Sequence, residues 1–542
     1  MDAQQFLAEF GHIANAPNGI VQLRKMIYQL AITGMLTVRS ERTEDARALL
    51  ANIEVARQEL IRKKKYKRMP KLESESLRAP SGVVLPLNWC WTRLLDVGEI
   101  SPRNEADDDE LAAFVPMSGI PQMHRGSVVS DAIKWGDIKK GYTHVANGDV
   151  VIAKITPCFE NGKAAVISDL KVASGLGAGT TELHVFRPFH EGILSAYVYL
   201  FLRSPYFVID GEKNMIGTAG QKRLPNDYFA TRAFPLPPTE EQSRIVGKVD
   251  NLMALCDTLE GRHEQRRSVQ NALRQATLIT VATATSPHEL ETSWARLADN
   301  FSLLFEARED AKALRDVICD LALRGLFLPG VLKDTGASIP DRPPLPVGWG
   351  WDTLGNFSEY ITSGSRGWKN YLSASGDAFI RSQDISQDAL IFDNPVYVTL
   401  PAKAEGKRTL VRQGDLLLTI TGGNVGKCAR VPALDFKAYV SQHVALIRLR
   451  DSSLAEFIHF WMINAYGGRN FLARYIYGDK PGLNLVQVGS VLIPVPPESV
   501  RTKILERLRR YQILCDRLAI QIDSGRKVAT MLATAVTSAL VK

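Results

Sequence analysis

Phe234-Pro235-Leu236-Pro237-Pro238, a helix start and then Leu255-Cys256-Asp257 recur as Ile493-Pro494-Val495-Pro496-Pro497, a second helix start and Leu514-Cys515-Asp516. One offset of 259 residues serves both landmarks, so no gap separates them. Closely spaced prolines cannot sit inside a helix or a central strand, so each copy reads as a stopped strand feeding a long helix. In these helices Ile245, Val249, Leu252, Cys256 and Leu259, and likewise Ile504, Leu508, Tyr511, Cys515 and Leu518, follow alternating steps of four and three. That is the seam of a coiled-coil-like contact, and its presence in both helices predicts that they pack on each other, antiparallel. Thr239 and Gln242 are spaced as a capping box behind Pro237-Pro238. A helix of roughly 30 residues spans about 45 Å.

Working outward, the duplication takes in most of the chain. Trp89-Cys90-Trp91-Thr92-Arg93-Leu94 matches Trp349-Gly350-Trp351-Asp352-Thr353-Leu354, each behind a proline (Leu85-Pro86-Leu87 and Leu345-Pro346-Val347). Gly148-Asp149-Val150-Val151-Ile152 matches Gly414-Asp415-Leu416-Leu417-Leu418, and Leu23-Arg24 through Gly34-Met35-Leu36 matches Leu314-Arg315 through Gly325-Leu326-Phe327. So long a period means duplicated domains rather than a solenoid. The texture predicts an N-terminal helical region over 1–79, an α+β module over 80–238, a central helical spacer over 239–344, a second α+β module over 345–497 and a C-terminal helical region over 498–542. Strands are expected at 150–155, 182–186, 415–420 and 443–449, and short helices at 194–202 and 454–465. The expected fold class is α+β.

Hydrophobic residues make up 45% and charged residues 23% of the 542, enough apolar matter for sizeable cores. No apolar run approaches 18 residues and no charged-then-apolar leader follows Met1, so neither a membrane span nor a secretory signal is expected. The six cysteines are scattered without a Cys-x-x-Cys, which favours buried thiols in a reducing cytoplasm over zinc or disulfides. A net charge of +8 and a pI near 9.0 favour a polyanionic partner, though modestly for this length. The densest basic run, Arg62-Lys63-Lys64-Lys65-Tyr66-Lys67-Arg68, serves equally as a solvated helix terminus or as a phosphate-contacting patch.

Catalytic patterns fail on inspection. Gly422-Gly423-Asn424-Val425-Gly426-Lys427 resembles a phosphate loop, but Thr421 stands where its first glycine belongs and Cys428 follows the lysine. Ser204-Pro205-Tyr206-Phe207 resembles an amino-methyltransferase tetrapeptide with Tyr206 in place of a second proline; a helix cap with a first-turn proline fits better. The nine histidines have no metal-ligand spacing. The chain therefore reads as a recognition component.

Taken together, two variable α+β modules, each closed by a Pro-rich stop and a long helix containing Leu-Cys-Asp, resemble the specificity subunit of Type I restriction-modification enzymes. Leu23 to Gly34 and Leu314 to Gly325 are similar to the family's repeated helical region, Pro237-Pro238-Thr239-Glu240-Glu241-Gln242 to its module-to-helix junction, and Val440-Ser441-Gln442-His443 to a strand motif of its recognition domains. Pro497-Glu498-Ser499-Val500-Arg501 departs from the pattern by lacking the Glu-Gln pair. The resemblance implies that each module reads one half of a split, asymmetric double-stranded DNA target. It also implies that the helices fix the spacer and dock two methyltransferase subunits that bind S-adenosylmethionine. Restriction (motor-nuclease) subunits using ATP and Mg would complete a cytoplasmic phage-defence assembly, this chain holding no cofactor or metal and having no catalytic residue of its own.

Candidate DNA contacts are polar and basic residues in matched loops: Lys154, Thr156, Asn161 and Lys163 against Thr419, Thr421, Asn424 and Lys427; Thr180, Thr181 and Glu182 against Ser441, Gln442 and His443; Gln221, Lys222 and Arg223 against Gly478, Asp479 and Lys480. Asn and Gln suit adenine edges, Lys and Arg suit guanine edges or phosphates. Each could instead be a turn that caps its own backbone. Two other functions stay open at this point. One is a self-sufficient adenine methyltransferase or restriction enzyme with fused recognition domains, which the missing cofactor loop opposes. The other is a tandem protein-binding scaffold.

Overall fold

In the computed structural model, the repeated landmarks of the sequence become the two halves of repeated contacts. The structure describes residues 10–11, 13–37, 45–66, 77, 83–218, 220–284, 286–326, 345–364, 367–401, 406, 408–476 and 482–541. The chain divides into two units, 1–265 with 526–542, and 266–525.

Unit 1 starts with helix α1 (Gly19–Ile32), which buries Leu23, Met26, Ile27 and Leu30 on one face at the 3.6 period. Gly34, just past its end, has φ 74°, and a Cβ there would lie 2.5 Å from Pro86 Cγ and 3.4 Å from Trp89 Cζ2. Only glycine allows both that backbone and that approach. Helix α2 (Ala46–Arg62) is capped by Asp45, whose carboxylate accepts from the Arg47 N–H at 2.8 Å. Its end leaves Arg62, Lys63, Lys64 and Lys65 exposed, while Lys67 and Arg68 lie outside the described residues.

The module that follows contains β1 (Cys90–Arg93), β2 (Gly98–Ile100), β3 (Leu111–Val115), β4 (Asp131–Lys134), β5 (Thr143–Ala146), β6 (Val150–Ala153), β7 (Ala164–Val166), β8 (Leu176–Gly179), β9 (Leu183–Pro188) and β10 (Ala233–Leu236). Helices α3 (Ser195–Arg203) and α4 (Pro205–Asn214) lie between β9 and β10, and α5 (Thr239–Ala282) leaves the module. Ser204 caps α4, its Oγ accepting from Phe207 N–H at 3.3 Å with Pro205 in the first turn, so the tetrapeptide is a helix start. One sheet has the order β2-β9-β6-β7 and a second the order β4-β3-β8-β5. A separate ribbon pairs β1 with β10, setting Trp91 opposite Pro235. A two-stranded ribbon has only edges, where a proline without an N–H is tolerated. The tryptophan landmark and the proline landmark thus close the module on each other.

Beneath this lies one buried ion pair. Asp149 accepts from the Ala146 N–H at 2.7 Å and holds Arg187 of β9 through both oxygens, each at 2.7 Å. Burial pushes the Asp149 carboxyl up, against the pull of Arg187. The pair ties the turn before β6 to its neighbour β9, so the loops after β6 and before β9 leave one edge together.

Unit 2 repeats the plan. Helices α6 (Pro287–Asp299) and α7 (Arg308–Leu323) precede β11 (Gly350–Thr353), β12 (Ser358–Ser363), β13 (Leu372–Ser373), β14 (Asp377–Ile380), β15 (Tyr397–Val398), β16 (Leu416–Thr419), β17 (Cys428–Arg430), β18 (Ala438–Val440), β19 (Val444–Leu449), α8 (Ala455–Ile463), β20 (Leu492–Val495) and α9 (Glu498–Val541). The sheet orders are β12-β19-β16-β17 and β13-β15-β14-β18, and β11 pairs with β20, placing Trp351 opposite Pro494. Among the described residues each module has one parallel pair, β3 with β8 and β14 with β18. Gly325 again has φ 74°, with a Cβ position 2.9 Å from Trp349 Cζ2. Asp415 accepts from Arg412 N–H at 2.7 Å and holds Arg448 at 2.6 and 3.0 Å.

Helices α5 and α9 each run 44 residues, longer than the seam alone implied. Ile245, Val249, Leu252 and Cys256 are buried in one apolar cluster with Leu23, Met26 and Ile27 of α1 and with Ala533 near the end of α9, Leu259 flanking it. Ile504 and Leu508 join Cys319, Ala322 and Leu323 of α7. Cys515, with Tyr511 and Leu518 beside it, shares a cluster with Leu314 and Val317 of α7 and with Leu278 and Val281 at the end of α5. In each unit the end of one long helix meets the start of the other, the expected antiparallel arrangement. The short repeated helix fills the same seam, an addition the heptad steps alone do not reveal. Arg24 reaches Asp257 at 2.7 Å and Arg315 reaches Asp516 at 3.1 Å, so the Leu-Arg and Leu-Cys-Asp landmarks are the two ends of one bridge.

The capping box at α5 is not formed. Pro238 accepts from the Gln242 N–H at 3.0 Å. Thr239 Oγ1 donates to the Gly192 carbonyl at 3.0 Å, and Gln242 Nε2 donates to Gly192 and Pro237 carbonyls, each at 3.0 Å. With Pro238 starting the helix, these side chains fall one position late and fasten the helix to its module instead.

Gly34→Ala and Gly325→Ala are expected to lose at least about 1–2 kcal/mol each from the left-handed backbone, the former more because its Cβ approach is closer; urea unfolding of each variant measures this, and an unchanged midpoint would refute it. Asp415→Ala strands a buried guanidinium and Asp149→Ala a partly exposed one, a loss of about 3–5 kcal/mol for a fully buried pair. Arg187 is 28% exposed and Arg448 7%, so solvent screening makes the first loss the smaller. Thermal unfolding of the two variants should rank them in that order.

Candidate nucleic-acid interface

In the first module three of the loops anticipated from sequence are laced together by backbone. The Lys154 N–H donates to the Glu182 carbonyl at 2.9 Å, and the Leu224 N–H donates to the Lys154 carbonyl at 2.8 Å. Thr156 N–H donates to the Lys222 carbonyl at 3.0 Å, and the Lys222 N–H returns to Thr156 Oγ1 at 3.1 Å. Across this frame Arg223 grips Glu182, with Nε 2.9 Å from Oε2 and Nη2 2.8 Å from Oε1. The guanidinium holds the Glu182 carboxyl below its ordinary value.

Beside the pair opens a groove of about 410 Å³ lined by Arg103, Tyr142, Lys154, His184, Arg223 and Asn226 among others. His184 forms its floor, stacked on Phe229 with centroids 4.7 Å apart and its Nε2–H donating to the Leu224 carbonyl at 2.9 Å. Burial lowers its pKa to about 4, so it is a neutral surface at pH 7. Arg103, Tyr142 and Asn226 escape sequence reasoning because they lie outside the matched loops and have no mate at a fixed offset.

The remaining candidates of this module divide. Asn161, Thr181, Gln221 and Lys222 are exposed and accessible to a partner. Thr180 Oγ1 accepts from the Glu182 N–H at 3.3 Å and shapes the turn. Lys163 Nζ donates to the Met117 carbonyl at 2.7 Å, so its charge serves the module's own loop.

The second module builds the same frame with other side chains. Ile420 N–H donates to the His443 carbonyl at 2.9 Å and Leu483 N–H donates to the Ile420 carbonyl at 2.8 Å. By these bonds Ile420 stands where Lys154 does, and His443 where Glu182 does. The isolated bridges Ile155 to Arg223 and Thr421 to Gly482 make Gly482 the counterpart of Arg223. The sequence pairing of Lys154 with Thr419 is therefore corrected: the first loop is two residues longer, so no single offset carries through it. Thr419 corresponds to Ala153, is fully buried, and its Oγ1 has no hydrogen-bond partner. Ser441 is buried as well. Asn424 donates from Nδ2 to the Ser382 carbonyl at 3.2 Å and so ties its loop to the segment at 382–385. Lys427 is half-buried, Gln442 and His443 are exposed, and the half-buried Thr421 bonds the His443 ring through Oγ1. Lys480, with Gly478 and Asp479, lies outside the described residues.

All six cysteines are free thiols, and burial pushes Cys256 up to about 11. Among the described residues no group of His, Cys, Asp and Glu is placed to hold a metal ion, and no helix is long and apolar enough to cross a membrane.

Residues 86–266 match the family model of the Type I restriction modification DNA specificity domain. The chain is 31% identical to the Type I restriction enzyme EcoAI specificity subunit of Escherichia coli, covering 96% of this chain and 94% of that protein. To the EcoEI specificity subunit of the same organism it is 32% identical, with the same coverage. Among solved structures, the HsdS subunit from Thermoanaerobacter tengcongensis aligns with a TM-score of 0.40 and 20% identity over 85% of this chain and 98% of that one. The chain belongs to the family of Type I restriction enzyme specificity subunits.

His184 gives this site a pH signature. Its folded pKa lies below the unfolded value of ~6.5, so its contribution is complete above that value and is lost as pH falls towards about 4. Acidification across this window should lower stability by up to roughly 3 kcal/mol through this one group. His184→Gln should flatten the difference between melting temperatures at pH 7 and pH 4.5, and an undiminished slope would assign the loss to other groups.

Proposed function

We propose that the chain reads a bipartite, asymmetric double-stranded DNA target, residues 80–238 taking one half and residues 345–497 the other, without chemistry of its own. The observation that carries this reading is the shared frame with unlike side chains. Lys154, Glu182 and Arg223 in one module stand where Ile420, His443 and Gly482 stand in the other. Equal modules would read equal halves of a palindrome, whereas unlike side chains on one frame read unlike sequences. Within a cytoplasmic complex the α1–α5 and α7–α9 packings, alike in both units, offer two similar surfaces to two methyltransferase subunits. Those subunits would hold S-adenosylmethionine and take the adenine out of the stack. Restriction subunits using ATP and Mg would add cleavage. The net charge of +8 supports a polyanionic partner.

Replacing residues 80–238 with the module of another specificity subunit, in a chain co-expressed with a modification subunit, should change one half of the methylated motif and leave the other. Methylome sequencing reads the outcome. A change in both halves, or a continuous palindrome from the parent chain, would sink the reading.

A further inference from the structure

The Glu182–Arg223 pair has a property that separates base reading from phosphate holding. Glu182 engages the side-on edge of the guanidinium, through Nε at 2.9 Å and Nη2 at 2.8 Å. The end-on edge formed by Nη1 and the outer hydrogen of Nη2 has only a long contact, 3.4 Å from Nη1 to the Gln221 carbonyl. The Arg223 side chain is 47% exposed, so this fork reaches solvent from a fixed plane. A paired guanidinium carries little net charge towards a third group, and phosphate affinity comes chiefly from net charge and counterion release. Its donor fork is undiminished, and two parallel donors match the O6 and N7 acceptors of guanine in the major groove. Lys154 and Arg103 line the same groove without such a clamp and suit the backbone.

We propose that Arg223, held in plane by Glu182, reads the O6/N7 edge of a guanine in the half-site taken by the first module. The inference rests on the DNA-reading function proposed above and names one base contact within it. Among the described residues the second module has no equivalent fork, because Gly482 occupies the position of Arg223 and His443 that of Glu182. The guanine contact proposed here belongs to the half taken by the first module.

The test uses the full chain co-expressed with its modification subunit, with methylation read at base resolution across the host genome and binding of the assembled complex measured on synthetic duplexes. The parent should require a G·C pair at one position of one half. Arg223→Ala should relax that position alone, cutting discrimination against other bases on the order of 5- to 150-fold. Arg223→Gln should move the preference at the same position towards adenine, since a carboxamide matches N6 and N7. The slope of log affinity against log salt should stay unchanged for Arg223→Ala. A uniform loss of methylation at an unaltered motif, with the salt slope reduced by about one, would overturn the proposal in favour of a phosphate contact. A variant that no longer assembles would overturn it too, because an exposed base-reading side chain is dispensable for assembly. A parent complex with no two-part motif would instead remove the function on which the proposal rests, so the two failures are distinct.

Discussion

The modules depend on a buried carboxylate that faces two ways. Asp149 holds its own turn through the Ala146 N–H and the neighbouring strand through Arg187, and Asp415 does the same with Arg412 and Arg448. Such a pair contributes modestly to net stability because desolvation offsets the attraction. Its value lies in geometry: the wrong register would leave an unpaired charge in the core. With β6 and β9 locked, and β16 and β19 likewise, the loops at one sheet edge have a fixed starting point. They can then differ in sequence without disturbing the sheet beneath.

The framework was largely legible in the chain because each landmark answers to a local physical demand. Gly34 and Gly325 mark helix ends needing a positive φ, Pro235 and Pro494 mark ribbon strands, and Asp149 and Asp415 mark buried turns. Fold class, strand positions and helix seams follow from periodicity. Cross-chain partners do not: heptad steps reveal an apolar stripe, yet nothing local says that α1 and α7 also fill it. The failed capping box has the same origin, since Thr239 and Gln242 have the right spacing but bond to Gly192, far away in sequence.

The interface was legible only in part. Loops 154–163, 180–182 and 221–223 do converge, and Arg223 and Glu182 were among the residues anticipated there. Thr419 was mispaired because a two-residue difference in loop length shifts the alignment, and one residue along a strand exchanges an exposed face for a buried one; Ser441 keeps its pairing with Thr180 and is buried all the same. Lys163 and Asn424 show a second limit: composition cannot distinguish a side chain that waits for a partner from one that serves its own backbone. The groove residues Arg103 and Tyr142 needed the tertiary structure to be noticed at all.

The division of the chain also bears on its synthesis. Residues 526–542 belong to the first unit, yet they are made about 260 residues after Gln265 closes the rest of it. During translation the apolar groove that receives Ala533 stays open while all of the second unit emerges. Contacts of such sequence separation form slowly and leave apolar surface exposed meanwhile. Completion of the first unit therefore waits until the second has been made.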